Sequence, residues 1–325
     1  MAGGQERALR RRIRSVQSTK KITRAMELIA ATRVASAQQR AAAARPYSER
    51  ITSVIQNLAA VGGAVDHRLL RPATDGGKVA FVVIASDRGL AGPYNTSVIR
   101  AAERELQARR AEGNDYSLVV VGKKVESYFR FRGYRIDAVF HGMSDRPSYE
   151  DARQVADVVR GAFEEGEVDE VVLVYTRFLS VASQRVVVRQ FMPLSGVGAG
   201  TDTRADDGPH ADYEFEPQPD QILTRLLPRY VEARLYAAML DAAASEHAAR
   251  QRAMKSATDN AEELIIKYSR AMNRARQDAI TTEIMEIVGG AEAMRAAQTD
   301  TSDLLVDNVL TSADVLSDSL SRSRS

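Results

Sequence analysis

The sequence predicts an α/β protein in which two very long helices, one at each end of the chain, flank a small domain with a parallel sheet. Three observations lead to this prediction. Glycine and proline are absent from residues 5–45 and again from 229–288, so each segment can form one helix. Valine-rich stretches alternate with helical patterns between them, as in βαβ units. We therefore expect a long antiparallel coiled coil of the terminal helices with a Rossmann-like domain inserted.

The N-terminal helix is strongly basic. Residues 1–50 hold twelve Lys and Arg against three Glu, a net charge of +9, which favours an acidic partner such as nucleic acid, anionic lipid or a protein surface. No aromatic residue precedes Tyr47, and apolar residues recur at helical spacing: Leu9, Ile13, Val16, Met26 and Ile29. This pattern favours a helical partner over a nucleic-acid duplex, which remains the first alternative. An organelle-targeting segment is a further interpretation of an Arg-rich start.

The middle of the chain predicts four strands and three helices. The strands are expected at 79–86, 117–122, 170–178 and 183–194, and the helices at 95–111, 125–132 and 149–164. The stretch SDRGLAGPYN, residues 86–95, lies where a nucleotide-binding loop would follow the first strand. It contains neither GxGxxG nor a GKS or GKT sequence. A turn that positions the next helix is therefore favoured, and an α/β enzyme with helical arms is the second alternative.

The C-terminal helix has a near-heptad seam with one slip, which predicts pairing with the N-terminal helix. The predicted seam residues are Met254, Ala257, Ala261, Leu264, Tyr268, Met272, Ala275 and Ala279. Polar residues lie on several faces of 273–290, so this part must be solvated or enclosed by another protein. The expected domains are 1–60 and 221–294 for the two coiled-coil helices, 75–195 for the α/β domain, 196–220 for a loop, and 295–325 for a mobile extension.

Composition excludes several kinds of chemistry. The 325 residues are 44% hydrophobic and 27% charged, as in soluble globular proteins. No apolar run reaches the roughly 20 residues needed to span a bilayer. There is no cysteine, so disulfides, thiolate metal sites and a cysteine nucleophile are excluded. The four histidines are far apart in sequence, and none has the spacing of metal ligands. We expect no catalytic residue, no metal and no cofactor.

Several motifs together resemble the γ subunit of F-type ATP synthase. They are IRSVQSTKKITRAMELIAATRV, ARPYSER, SDRGLAGPYN, LLPRYVEARLYAAMLDAAASEHAARQRAMKSATDNA and ARQDAITTEIMEIVGGA. The similarity spans about residues 5–293 in the family's order. Where many relatives have a cysteine and a second glycine in the third motif, this chain has Ala91 and Pro93. The family usually ends near GGAEAM, whereas this chain continues for about thirty residues.

The resemblance implies a non-catalytic central rotor shaft. In the family, the paired helices enter a ring of three α and three β subunits, and the α/β domain meets ε and the c-ring. Proton flow turns the c-ring and the shaft, and the asymmetric shaft moves the catalytic β subunits between conformations during ATP synthesis or hydrolysis. The subunit also regulates ATPase activity and proton flow. The implied location is the cytoplasmic face of a bacterial plasma membrane, with peripheral attachment and no nucleic-acid partner.

The resemblance also implies roles for ten residues. Contacts with the α/β ring are expected from Lys20, Lys21, Arg24, Met26, Arg276, Gln277, Thr281 and Glu283. Within this set, Arg276, Gln277 and Thr281 match the family's catch positions, which hydrogen-bond a β-subunit loop. Contacts with ε or the c-ring are expected from Tyr230 and Glu232.

Overall fold

The computed structural model describes residues 2–61, 67–70, 77–194 and 218–321, so the expected loop at 196–220 lies almost wholly outside the described residues. The chain divides into two compact units. The first consists of Met1–Lys20 with Asp259–Ser325, and the second is Lys21–Thr258. In the described part of the chain, no helix is both long enough and apolar enough to cross a membrane.

Both terminal helices extend further than the glycine and proline positions predict. Helix α1 runs from Ala2 to Val61 with Pro46 inside it. Beyond this proline, three apolar residues at helical spacing are buried in the core: Ile51, Ile55 and Leu58. Their burial offsets the hydrogen bond that the proline nitrogen cannot donate. Helix α5 spans Pro219–Ser321. The extension expected at 295–325 is therefore continuous with α5 as far as Ser321, and its side chains from 296 onward lie outside the described residues.

The second unit contains a five-stranded sheet whose strands and helices alternate along the chain. The elements are β1 (Val79–Ile84), α2 (Tyr94–Ala111), β2 (Tyr116–Val121), α3 (Lys123–Phe131), β3 (Ala138–Phe140), α4 (Tyr149–Glu165), β4 (Glu170–Phe178) and β5 (Gln184–Met192), and a single 3₁₀ turn, Arg68–Leu70, precedes β1. Every predicted strand and helix of this domain is confirmed to within two residues at each end. The three-residue β3 was not predicted.

The strand order is β3-β2-β1-β4-β5. Strands β1 to β4 pair in parallel, whereas β5 pairs antiparallel with β4. The expectation of a parallel sheet is therefore wrong for β5. The five residues between β4 and β5 are too few for a crossover, so the two strands form a hairpin.

Helices cover both faces of the sheet. On one face, valines of β1 and β2 pack with Val98 and Leu106 of α2 and Phe129 of α3. On the other face, the sheet packs against α4 and against parts of both long helices, including Ile55 of α1 and Leu227 of α5. At the crossing of β2 into α3, Gly122 has φ = 109°, and a Cβ there would collide with the Ala85 carbonyl at the end of β1.

In the first unit, α1 and α5 pair antiparallel through a regular heptad seam. Lys20 Nζ lies 3.1 Å from Glu262 Oε1, whereas Gln5 shares a cavity with Arg270 and Asp278. In this unit Ala261, Ile265, Tyr268, Met272, Ala275 and Ala279 of α5 are covered at heptad spacing, and Ser269 beside them is also partly covered. The prediction of Leu264 as a seam residue is wrong, since this side chain is 40% exposed and Ile265 takes the seam position. The spacing is therefore an uninterrupted heptad.

Pro46 gives a direct test of the long α1 helix. Its side chain is exposed, so Pro46→Ala restores a main-chain hydrogen bond without changing buried packing. We expect the free energy of unfolding to rise by up to about 3 kcal/mol, measured by denaturant titration followed by circular dichroism. A lower stability of Pro46→Ala would contradict a continuous helix here and indicate a bend that the core requires.

Candidate functional site

A doubly wound sheet has one preferred place for a ligand. It is the crevice at the carboxyl ends of the parallel strands, where the strand order reverses. In this sheet the reversal lies between β1 and β4. This crevice is therefore the place to look for a nucleotide or substrate site.

Helix α5 fills this crevice with its own residues. Ser245 Oγ donates to the Thr176 carbonyl of β4 at 3.1 Å, and the Tyr94 hydroxyl donates to the Ala242 carbonyl at 3.2 Å. All nine residues from 242 to 250 are buried, and five of them are alanines, which let the sheet domain approach the helix closely. The position between β1 and β4 is thus occupied by α5, and a cavity of about 390 Å³ remains beside Gly89, Asp145 and His247.

The filled crevice contains a buried ion pair. Arg250 Nη2 donates to Glu246 Oε1 at 2.6 Å, and the two side chains are 9% and 1% exposed. Burial raises the pKa of Glu246, and the Arg250 guanidinium opposes the rise. Arg250 also donates to the Gly89 carbonyl at 3.3 Å, and His247 Nε2 lies 3.0 Å from the Asp145 carbonyl. Burial lowers the pKa of His247. Arg250 and His247 thus contact main-chain oxygens of the domain, and the Asp145 carboxylate, 33% exposed, also lies 3.7 Å from His247 Nε2.

The turn after β1 is held from several sides. Ser86 Oγ lies 2.8 Å from Asn95 Oδ1, and Asp87 Oδ2 accepts from the Gly142 main-chain N–H at 2.9 Å. Leu90 has φ = 61° and its side chain is 63% exposed. Few leucines adopt this backbone conformation. The turn that was predicted to position α2 is thus also fastened to α5.

The four basic or apolar residues predicted near the start of α1 have different environments. Lys20 forms the ion pair with Glu262 inside its own unit. Lys21 is exposed, and Arg24 Nη1 donates to Glu27 at 2.9 Å while its side chain remains 59% exposed. Met26 lines a cavity of about 390 Å³ with Ile29 and Leu90. Of the four, Lys21 and Arg24 present the most accessible charge.

The predicted residues near the end of α5 lie on an exposed helix. Arg276, Gln277, Thr281 and Glu283 are all exposed, and Thr281 Oγ1 donates to the Gln277 carbonyl at 2.9 Å. Every residue from 280 to 295 is exposed. The exposed residues include six large apolar ones between 48% and 72% exposed: Ile280, Ile284, Met285, Ile287, Val288 and Met294. A helix with so much apolar surface requires a partner.

The two residues predicted to contact ε or the c-ring are buried within this chain. Tyr230 is 6% exposed and belongs to the core. Glu232 is 5% exposed. Its carboxylate accepts hydrogen bonds from the Tyr149 hydroxyl at 2.7 Å and from Arg229 Nη1 at 3.2 Å. Burial and this hydrogen bond raise the pKa of Tyr149. Arg229, one turn from Glu232, is 55% exposed and was not singled out from the sequence.

Comparison with known proteins identifies the family. A family model described as ATP synthase matches residues 5–294. The chain is 54% identical over 295 residues to the ATP synthase gamma chain of Frankia casuarinae, covering 90% of this chain and 98% of the relative. The chain belongs to the ATP synthase gamma-chain family. The gamma chain of a Nocardioides species is 49% identical over 296 residues, covering 90% of this chain and 97% of the relative.

Solved structures share the gamma-chain fold. One similar chain comes from the structure of the Euglena gracilis mitochondrial ATP synthase, OSCP/F1/c-ring, in rotational state 3. The two chains superpose with a TM-score of 0.61 at 20% sequence identity, and the match covers 91% of this chain and 96% of the Euglena chain. It also matches one from the central stalk and c-ring of the Tetrahymena thermophila mitochondrial enzyme, with a TM-score of 0.55 and 22% identity, covering 73% and 99%. The fold is that of a central-stalk subunit.

The buried Glu232 cluster predicts different effects for two substitutions in this gamma chain. Tyr149→Phe leaves a buried carboxylate with one partner fewer, and we expect a loss of about 1–3 kcal/mol in unfolding free energy. Arg225→Ala, at an exposed position one turn before Arg229, should change stability little. Thermal or denaturant unfolding of the full chain measures both. Equal effects of the two substitutions would show that the tyrosine hydrogen bond does not matter.

Proposed function

We propose that this gamma chain is the central rotor shaft of a proton-translocating F-type ATP synthase. The observation that carries the proposal is the exposed stretch of α5 at residues 280–295. Residues 280–295 are accessible on every side, including six large apolar side chains. Such a helix is stabilised when another protein surrounds it. Membership of the gamma-chain family supports a ring of three α and three β subunits as that protein.

The shaft couples rotation to catalysis through its asymmetry. An asymmetric shaft offers a different contact to each subunit of a ring. Each contact stabilises one conformation of the facing β subunit over the others, which is a coupling free energy in the thermodynamic sense. Catalysis takes place on β, and this chain supplies no reacting group. Through the same contacts the chain regulates ATP hydrolysis and proton flow.

The exposed polar residues are assigned to the ring. Lys21 and Arg24 are accessible cations and face acidic segments of β. Lys20, paired with Glu262 within its own unit, is also assigned to the ring, and Met26 adds an apolar contact. On α5, Arg276, Gln277 and Thr281 form the catch with a β-subunit loop, and Glu283 lies on the same exposed stretch.

The base of the shaft is assigned to the ε subunit and the c-ring. Tyr230 and Glu232 are buried, so they support this region from within, while the exposed Arg229 beside them is the group available to a partner. The complex holds the chain at the cytoplasmic face of a bacterial plasma membrane. The domain assignment proposed from the sequence is retained, with 295–325 as a C-terminal extension beyond the family match.

The catch assignment is tested by the double substitution Arg276→Ala with Gln277→Leu. Both side chains are exposed, so we expect the stability of the isolated chain to be unchanged. Proton-driven ATP synthesis in membrane vesicles should fall about fivefold or more. A matched control is Glu263→Ala with Lys267→Ala, two exposed residues of the same helix. Unchanged synthesis in the first variant, or an equal loss in the control, would refute the catch assignment.

A further inference from the structure

Many of the hydrogen bonds between the sheet domain and α5 are concentrated in a short length of the helix. Between Ala242 and Arg252, five separate segments of the sheet domain bond to the helix. They are the turn after β1 at Gly89, the start of α2 at Tyr94, the turn before α4 at Asp145, the end of β4 at Thr176, and the β4–β5 turn at Val181–Gln184. We call these five segments the collar.

Arg252 forms the outer contact of the collar. Its Nη1 donates to the carbonyls of Val181 and Ala182 at 2.6 and 2.8 Å, and its Nη2 donates to the Gln184 side chain. The side chain is exposed, unlike Arg250. The collar therefore combines one buried and one exposed arginine, both of which donate to main-chain carbonyls of the domain.

The collar contacts α5 around most of its circumference. Successive residues of a helix are rotated by about 100°. The five helix residues in the collar, Ala242, Ser245, His247, Arg250 and Arg252, are therefore distributed over about 220°. Burial agrees with this geometry, because residues 242–250 are buried on every face of the helix.

The chemistry of the collar resists rotation of the helix. The buried alanines alone form a smooth surface, and apolar packing has no directional preference. Hydrogen bonds weaken steeply as their angle departs from linearity. Turning the helix inside the domain would break its hydrogen bonds at Gly89, Asp145 and Thr176 together. The bond at Gly89 is the one that the buried Arg250 donates. Helix and domain are thus fastened for rotation as one body.

We propose that the collar is the joint that carries torque between the sheet domain and α5. This inference rests on the proposed rotor function and adds the residues that transmit the load. In a rotor turned from its base, torque enters through the domain and must pass to α5. Among the described residues of the second unit, the collar is the place where polar contacts from the domain surround α5. Arg250 and Arg252 are positioning residues with no role in catalysis.

The test compares ATP synthesis by the assembled complex with ATP hydrolysis by the detached ring and shaft. Proton-driven ATP synthesis needs torque to pass through the domain, whereas ATP hydrolysis by the ring and shaft alone does not. In Arg250→Met with Arg252→Met, we expect synthesis to fall about fivefold or more while hydrolysis stays near that of the unsubstituted chain. The corresponding double Lys variant keeps the charge and should recover part of the synthesis. Lys255→Met, an exposed position on the same helix, is the control.

Two further measurements keep the outcomes separate. Arg252→Met alone changes an exposed residue and should fold normally, with faster amide hydrogen exchange confined to residues 179–184. If the unsubstituted chain does not assemble with a ring, the proposed function fails. If it assembles and synthesises ATP, then unchanged synthesis in the double Met variant overturns the collar. Parallel loss of synthesis and hydrolysis would also overturn it, since that result indicates a role in folding alone.

Discussion

The structure depends on the burial of one helical segment on all of its faces. Residues 242–250 of α5 lie in the crevice that an open α/β sheet normally offers to a ligand. Burying a helix completely requires small side chains, and five of these nine residues are alanine. Burial also disfavours unbonded charge, and Glu246 Oε1, His247 and Arg250 each have a partner, whereas the buried Glu246 Oε2 has no hydrogen bond among the described residues. A helix therefore occupies the position that sheets of this kind usually offer to a ligand.

That burial explains how one chain combines a compact domain with exposed helices. The core that holds α1 and α5 on the sheet includes Ile55 and Leu227, and it fixes both helices without help from the rest of their length. The remaining helix is free to carry exposed apolar side chains such as Ile284 and Ile287, which are 55% and 72% exposed. Exposed apolar surface of this size is typical of a protein–protein interface.

Local pattern predicted most of the fold, and the reasons for its failures are physical. Helices and strands follow from spacing and from valine content, which are local properties. Strand β3 has three half-buried residues, too few for a periodic signal. Adjacent apolar residues Leu264 and Ile265 fit a heptad equally well until the partner helix selects one. The Glu246–Arg250 pair has the spacing of an ordinary surface ion pair, and its carbonyl partner at Gly89 is 161 residues away, so no sequence pattern marks it. The residues proposed to contact the ring came from family resemblance, and the structure shows only how accessible each of them is.

The central claim is that this chain turns inside a ring that hydrolyses ATP. The chain contains no cysteine, so Lys123→Cys, at an exposed site on the sheet domain, provides a single attachment point for an optical probe. The ring of α and β subunits is fixed to a surface, ATP is added, and the probe is followed in single complexes. If the chain is the rotor, the probe turns continuously in one direction and stops when ATP is removed. A probe that stays fixed or moves randomly while the ring hydrolyses ATP would contradict it.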